Sequence, residues 1–353
     1  MTPGVTQAGC VTKRIATHNG SHHADDAFGV AVLAALFPDH VLLRTRDPDE
    51  IASADFAVDV GGEWDPGRGR FDHHQREFDG ARVRADEEGR PVRAEPYASA
   101  GLVWREFGPA YVRQVAERMG QHVDDPTLAA IARDVDTALV RYLDLVDNGE
   151  DAVAPGIFGL SELLSLLNTD WMEEQGLPAE AHAALQLERF REAMALVRRF
   201  LDAFLRRKIG QLLAADKVRA GQRLFDGRVL YLPEGGMPWT RVVVQEMPEV
   251  LFVLYPDAEA GRHQLRTVPH RLGSFRARTD LPAAWAGLRD AELAAVTGVP
   301  DAAFCHRNLF IAVARSYEGA LRLAALALEP GRQRNGPAPG PGSLPAQAPS
   351  HPR

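Results

Sequence analysis

The stretch Arg70-Phe71-Asp72-His73-His74-Gln75-Arg76 places one carboxylate and two imidazoles directly after a short apolar segment. Oxygen and nitrogen donors at the end of a structural element are the chemistry of a metal site. An isolated His-His pair arises by chance on solvated loops, but this one has company. Upstream lie His18-Asn19-Gly20-Ser21-His22-His23-Ala24-Asp25-Asp26 and Phe56-Ala57-Val58-Asp59-Val60-Gly61-Gly62, and downstream lies Leu143-Asp144-Leu145-Val146-Asp147-Asn148-Gly149. Each sets His or Asp where an apolar run begins or ends.

Those runs point to the fold class. Residues 14–18 read as a buried strand that delivers His18 at its C-terminal end, and 27–37 as an apolar helix stopped before Pro38. Residues 41–46 and 55–60 read as further strands, the last closed by Gly61-Gly62. Apolar strands alternating with helices predict an α/β fold whose parallel sheet is covered on both faces. Ligands then collect beyond the carboxyl ends of the strands, where His18, Asp59 and the Asp72-His73-His74 run would sit. Residues 79–95 read as an exposed loop. A helix starts near Ser99, a suitable N-cap, and runs to Phe107. A second, over 126–146, puts Leu128, Ile131, Val135, Leu139, Tyr142 and Val146 on one stripe and stops at Asn148-Gly149. Asp144 and Asp147 share a face of it, and Asp147, at the end, is the better placed to reach the site.

The pattern over 178–215 is one long helix, read as a connector whose outer face suits a second copy in a homodimer. Its cluster of Arg198, Arg199, Arg206, Arg207 and Lys208 reads as a solvated face. Beyond Gly227, strands at 228–232, 242–244, 251–255 and 265–268, helices at 289–296 and 318–328 and a last strand near 304–314 predict a smaller mixed α/β domain. The expected division is a metal-binding domain over 13–177, the connector over 178–225, the second domain over 226–329 and a tail over 330–353. That tail holds seven prolines and no acidic or aromatic residue, so disorder is expected.

A length of 353 residues fits two domains. The formal net charge of -8 excludes broad, non-specific adhesion to nucleic acid, though not a local basic groove. No apolar run approaches the roughly 20 residues of a bilayer span. Residues 1–12 have neither a signal nor a transit pattern, so a cytoplasmic protein is expected. Cys10 and Cys305 are too few for a disulfide framework or a cysteine zinc site.

Carboxylates and imidazoles together suit Mn²⁺ better than a thiolate-built zinc site, with Mg²⁺ and Zn²⁺ left open. The donors exceed the needs of one ion; two ions sharing a carboxylate would use them all, and Asp59 is the bridging candidate. Two such ions clamp a phosphate and lower the pKa of a water between them.

The order His18, His23, Asp25, then Asp59, then Asp72-His73-His74, then Asp147 resembles the four motifs of the DHH phosphoesterase superfamily, which includes the RecJ nucleases and manganese pyrophosphatases. More closely, Thr17-His18-Asn19-Gly20, Arg44-Thr45-Arg46-Asp47-Pro48, Val58-Asp59-Val60-Gly61-Gly62, Asp72-His73-His74-Gln75, Ser99-Ala100-Gly101-Leu102 and Val146-Asp147-Asn148-Gly149 resemble the melanocyte-proliferating-gene-one (Myg) exonuclease family. The similarity continues through Tyr255-Pro256-Asp257, Ser274-Phe275-Arg276, Trp285-Ala286-Gly287-Leu288 and Glu318-Gly319-Ala320-Leu321, nearly the whole of 13–328.

The resemblance implies a two-metal DHH domain followed by a domain that closes over substrate. Carried over by position, His18, His23 and Asp59 would hold one ion, and Asp25, Asp59, His73 and Asp147 the other. His23 departs from the pattern: it stands where many members have the first Asp of an Asp-x-Asp pair, with one extra residue in the spacing. Asp72 would orient a histidine, His74 would contact the substrate phosphate or assist the leaving group, and His22 and Asp26 would be neighbours. The implied activity is metal-dependent phosphodiester hydrolysis, as a 3′-to-5′ exonuclease on RNA or short oligonucleotides. In the second domain Arg262, Arg266, Arg271, Arg276 and Arg278 form a basic strip. Arg276, Arg278 and His306 are the substrate-binding candidates, although Ile311-Ala312-Val313-Ala314-Arg315 stands where glycines are expected. Two other readings stay open here: a small-molecule nucleotide phosphoesterase or pyrophosphatase using the same site, and a non-catalytic metal-containing protein that binds RNA or a partner.

Overall fold

The computed structural model describes residues 12–85, 90–150, 159–257 and 261–329. The chain divides after Ile209 into two compact units. The tail expected over 330–353 and Cys10 lie outside the described residues. No helix among the described residues is long and apolar enough to cross a membrane.

The first unit opens with β1 (Lys13–Thr17), α1 (Ala24–Leu36), β2 (His40–Arg44), α2 (Pro48–Ala52), β3 (Phe56–Val58), β4 (Trp64–Asp65) and β5 (Arg70–Phe71). The sheet order is β2-β1-β3-β5-β4. All neighbours are parallel except the edge pair β4 and β5. Successive strand residues face opposite ways. Ile15, Val58 and Phe71 enter the core with α1, while Ala16 and Ala57 pack on Ile51 of α2 and on Val60. Both faces are thus covered, which explains the continuous apolar runs, and the carboxyl ends of β1, β3 and β5 open at one edge. The chain enters β5 through Gly69, at a φ of 71° and pressed against the Asp55 carbonyl, where a Cβ has no room.

Residues read as an exposed loop are a hairpin, β6 (Ala81–Ala85) paired with β7 (Pro91–Pro96); residues 86–89 lie outside the described set. Polar, alternating side chains give no buried run to signal it. Helix α3 (Ser99–Arg118) continues past Phe107 and contains Pro109, and its N-cap is Ala98 rather than Ser99. Then α4 (Asp125–Val135), a π-helical segment (Asp136–Val140) and α5 (Arg141–Asp147) form one continuous helical run. Short helices α6 (Leu160–Ser165) and α7 (Trp171–Glu174) precede α8 (Ala179–Arg219). On α8, Phe190, Ala193, Val197, Leu201, Leu205 and Ile209 keep helical spacing and pack in the first core.

The second unit holds β8 (Gln222–Leu224), β9 (Val229–Tyr231), α9 (Thr240–Glu246), β10 (Phe252–Pro256), β11 (His263–Thr267), α10 (Asp290–Thr297), β12 (Ala302–Cys305), β13 (Ile311–Ala314) and α11 (Tyr317–Ala327). Its sheet order is β12-β13-β11-β10-β9-β8, with only β9 and β10 parallel. Two expectations change. Residues 242–244 are helical, because Val242 and Val243 bury with Val218 and Val253, and tertiary packing outweighs β-branched propensity. The single strand near 304–314 is two strands turned through His306, whose Nδ1 accepts from the Asn308 N–H at 3.0 Å.

Candidate metal centre

The carboxyl ends of β1, β3 and β5 deliver His18, Asp59 and Asp72 to one point in the first unit. Asp59 takes the left-handed backbone conformation, φ 56°, while its N–H still donates to the Phe71 carbonyl at 3.1 Å. Aspartate tolerates that conformation better than most residues, and strain of this kind gathers at functional sites. The Asp59 carboxylate lies 3.4 Å from His18 Nε2, 3.5 Å from His73 Nε2 and 3.4 Å from His74 Nδ1. His73 Nε2 also lies 3.1 Å from Asp147 and 3.9 Å from Asp25. His23, at the start of α1, puts Nδ1 3.8 Å from Asp147.

Three sets of donors are close enough for one ion each: His18, His23 and Asp59; Asp59, His73 and His74; and His23, Asp25 and Asp147. All six residues expected as ligands are therefore in one cluster, with His74 beside them. Asp72 accepts from the Gly62 N–H at 2.6 Å and faces His74 Nδ1 at 2.8 Å, so it sits behind His74. His22 is turned away: its Nε2 lies 3.0 Å from the Leu164 carbonyl, and burial lowers its pKa. Asp26 is closer to the centre than a neighbour need be, 3.2 Å from His18 Nε2 and fully buried.

Buried polar atoms are normally hydrogen-bonded. Here both oxygens of Asp25, one of Asp26, and Nε2 of His18 and of His73 are buried without a hydrogen bond. They stand near opposite charges yet outside hydrogen-bond geometry, as donors to a cation would. Electrostatics agree with that fit. Burial disfavours the imidazolium of His18, but Asp26 and Asp59 override it and raise the pKa to about 10. Burial opposes His73 as well, and Asp147 with Asp59 raise it to about 10. Burial drives Asp25 well above the usual carboxylate range, helped by the charges of Asp59, Asp147 and Asp26. Asp59 is pulled the other way: burial would raise its pKa, yet His18 and His73 depress it strongly. Without a metal, protons on the imidazoles hold the carboxylates together.

Asp147 reaches the cluster because of the π-helical segment. One extra residue in a turn rotates everything after it by about 100°. The buried stripe Leu128, Ile131, Val135 accordingly continues as Val140, Leu143 and Asp144, and not as Leu139, Tyr142 and Val146; Tyr142 is solvent-exposed. Arg82 of β6 clamps this segment. Its guanidinium bonds Asp136 at 2.6 and 2.7 Å and meets Asp144 at 2.5 Å, stacked on Tyr97. Asp144 also accepts from the Gly101 N–H at 2.9 Å, and a Cβ at Gly101 would collide with Asp144 and Arg82. Two residues earlier, the buried hydroxyl of Ser99 donates to Asp59 at 3.1 Å. The start of α3 therefore holds Asp59 directly and Asp147 through Asp144. The sequence singles out Asp144 and the Ser99 segment, but nothing in the hairpin marks Arg82.

In the second unit the expected substrate residues divide. Arg278 is not free for substrate: its guanidinium donates to the carbonyls of Val243, Val244, Met247 and Val250, closing the end of α9. His306 shapes its turn, its ring centroid 4.3 Å from that of Phe310. Arg276 is exposed beside the fully exposed Phe275.

The family model MYG1_exonuc, described as an uncharacterised protein family (UPF0160), matches residues 14–328. The chain belongs to this family. It is similar to the MYG1 exonuclease of Bos taurus, 32% identical over 351 residues, 94% of this chain and 88% of the relative. It is also similar to the MYG1 exonuclease of Homo sapiens, 32% identical over 335 residues, 89% of this chain and 85% of the relative. Among solved structures it is similar to RecJ from Thermus thermophilus in complex with Mg²⁺, with 18% identity and a TM-score of 0.25, across 89% of this chain and 49% of RecJ.

Two outcomes are expected. His18 and His73 have raised pKa values, so their protons stabilise the metal-free fold fully below pH 6.5 and are lost as pH rises through about 10. A divalent ion must displace those protons, so its affinity should tighten from about pH 6 to about pH 9, with protons released from His18, His73 and the buried Asp25. Calorimetry in buffers of different ionisation enthalpy reads the release, and pH-independent binding would contradict it. Secondly, Arg82→Met should weaken Mn²⁺ binding by about 10–100-fold, as measured by titration of protein that remains folded by circular dichroism. Unchanged affinity would leave Arg82 a purely structural residue.

Proposed function

We propose that the chain is a metal-dependent phosphodiester hydrolase, a 3′-to-5′ exonuclease on RNA or short oligonucleotides, using two divalent ions, with Mn²⁺ the metal best matched to its donors. The observation that carries this reading is the Asp59 carboxylate, common to two donor sets, beside the buried and unbonded carboxylate of Asp25. The name of its relatives supports exonuclease action; RNA and the direction follow from the Myg resemblance.

In this reading His18, His23 and Asp59 would hold one ion, and Asp25, Asp59, His73 and Asp147 would hold the other. Ions so held would polarise a phosphodiester and bring the pKa of a water toward neutrality. Asp26 approaches the same His18 Nε2 as Asp59, at 3.2 Å, while His18 Nδ1 faces the Asn19 carbonyl at 3.0 Å. Asp72 takes the Nδ1–H of His74, which fixes the tautomer and leaves Nε2 for substrate, since His74 lines a cavity of about 350 Å³ with His18, His23 and Asp59. A His74 imidazolium would give its Nε2–H to the departing oxygen as general acid and be left as the neutral Nδ1–H tautomer that Asp72 holds.

The test is single-stranded RNA labelled at either end, incubated with purified protein and Mn²⁺. Stepwise shortening from the 3′ end is expected. Asp59→Asn should lower the rate by more than about a hundredfold, beyond the loss typical for an outer neighbour of a ligand. Shortening that persists in Asp59→Asn, or its absence in the wild type, would sink the proposal.

A further inference from the structure

The segment Arg44-Thr45-Arg46-Asp47-Pro48 has structural work for four of its five side chains. Arg44 donates to the carbonyls of His18, Gly20 and Gln186 and lies over the Phe190 ring at 4.5 Å, holding the turn between β1 and α1. The Thr45 hydroxyl accepts from the Asp47 N–H at 3.0 Å. The Asp47 carboxylate caps α2 by accepting from the N–H groups of Asp49 and Glu50, and Pro48 starts that helix. Arg46 has no such role. It is exposed, and its guanidinium makes no hydrogen bond or ion pair among the described residues.

Arg46 stands where two cavities meet. It lines the cavity of the metal cluster together with Val60 and Gly61, and the same three residues line an adjoining cavity of about 390 Å³. The wall of that second cavity is apolar along Pro48, Ile51, Ala52 and Val60. Its other two arginines are occupied: Arg68 pairs with Glu63 at 2.5 Å, and Arg70 donates to the carbonyls of Ala52 and Ala54. Arg46 is therefore the available cation between the metal donors and an apolar recess of ligand size.

We propose that Arg46 and this recess form a nucleotide subsite, in which Arg46 takes a phosphate oxygen of the substrate chain and the apolar wall takes the attached base. A guanidinium matches phosphate geometry with two parallel hydrogen bonds. The fixed α2 wall, capped by Asp47, receives a flat apolar face without rearranging. The subsite rests on the phosphodiesterase reading of the cluster and names the part of the substrate held beside it.

Equilibrium binding of adenosine 5′-monophosphate and of inorganic phosphate to the Mn²⁺-loaded protein tests it. Arg46→Gln should weaken both probes by about tenfold while leaving Mn²⁺ affinity unchanged. Ala52→Trp fills the recess from an exposed position on α2 and should weaken the nucleotide by a similar factor, with phosphate binding within about twofold of wild type. Unchanged nucleotide binding in both variants would overturn the subsite, as would equal losses of nucleotide and phosphate in Ala52→Trp. Failure of the underlying reading shows differently, as wild-type protein without metal-dependent hydrolysis of oligonucleotides.

Discussion

Burying Asp25 and Asp59 around one point sets two negative charges where water cannot screen them. An unpaired charge in such a place is costly, and a group so placed either takes a proton or finds a cation. The rest of the first unit is arranged to meet that requirement. Strand ends bring His18 and Asp59 together, β5 leads into His73 and His74, and the helical run through the π-helical segment ends on Asp147. With no metal, the imidazoles supply the positive charge as protonated groups. A divalent ion would supply it better, because one ion replaces several protons and satisfies the oxygens of Asp25, which accept no hydrogen bond.

Holding like charges together also explains the polar core beside the cluster. Ser99 and Gly101, at the start of α3, reach Asp59 and Asp144, and Arg82 closes the other side of Asp144. Burial still raises Asp144 to about 7 despite Arg82, so this clamp itself works against desolvation. Such a network is strongly destabilised when one partner is removed, since the remaining charge is left buried. It is placed where the backbone departs from α-helical geometry, and that departure sets the direction of Asp147.

The parallel sheet and the donor residues are legible in the sequence because their signals are local. An apolar strand ending in His or Asp announces both its burial and its chemistry, and Asp72-His73-His74 needs no partner to be noticed. What escapes depends on distant contacts. The hairpin at 81–96 is polar and alternating, so its pairing shows only when Arg82 is seen crossing to Asp136 and Asp144. The π-helical segment keeps ordinary helical residue types and reveals itself only in the shifted burial of Val140 and Leu143. Val242 and Val243 favour a strand by propensity and become helix by packing. Arg278 looks like a phosphate ligand by type, yet four backbone carbonyls already engage it.

Asp59 is the donor that a centre of two ions would share. Anomalous X-ray scattering at the manganese edge from crystals grown with Mn²⁺ tests it most directly. Two peaks are expected, one flanked by His18 and His23, the other by Asp25, His73 and Asp147, with the Asp59 carboxylate touching both. A single peak, or two peaks of which one lacks Asp59, would contradict the shared-carboxylate centre.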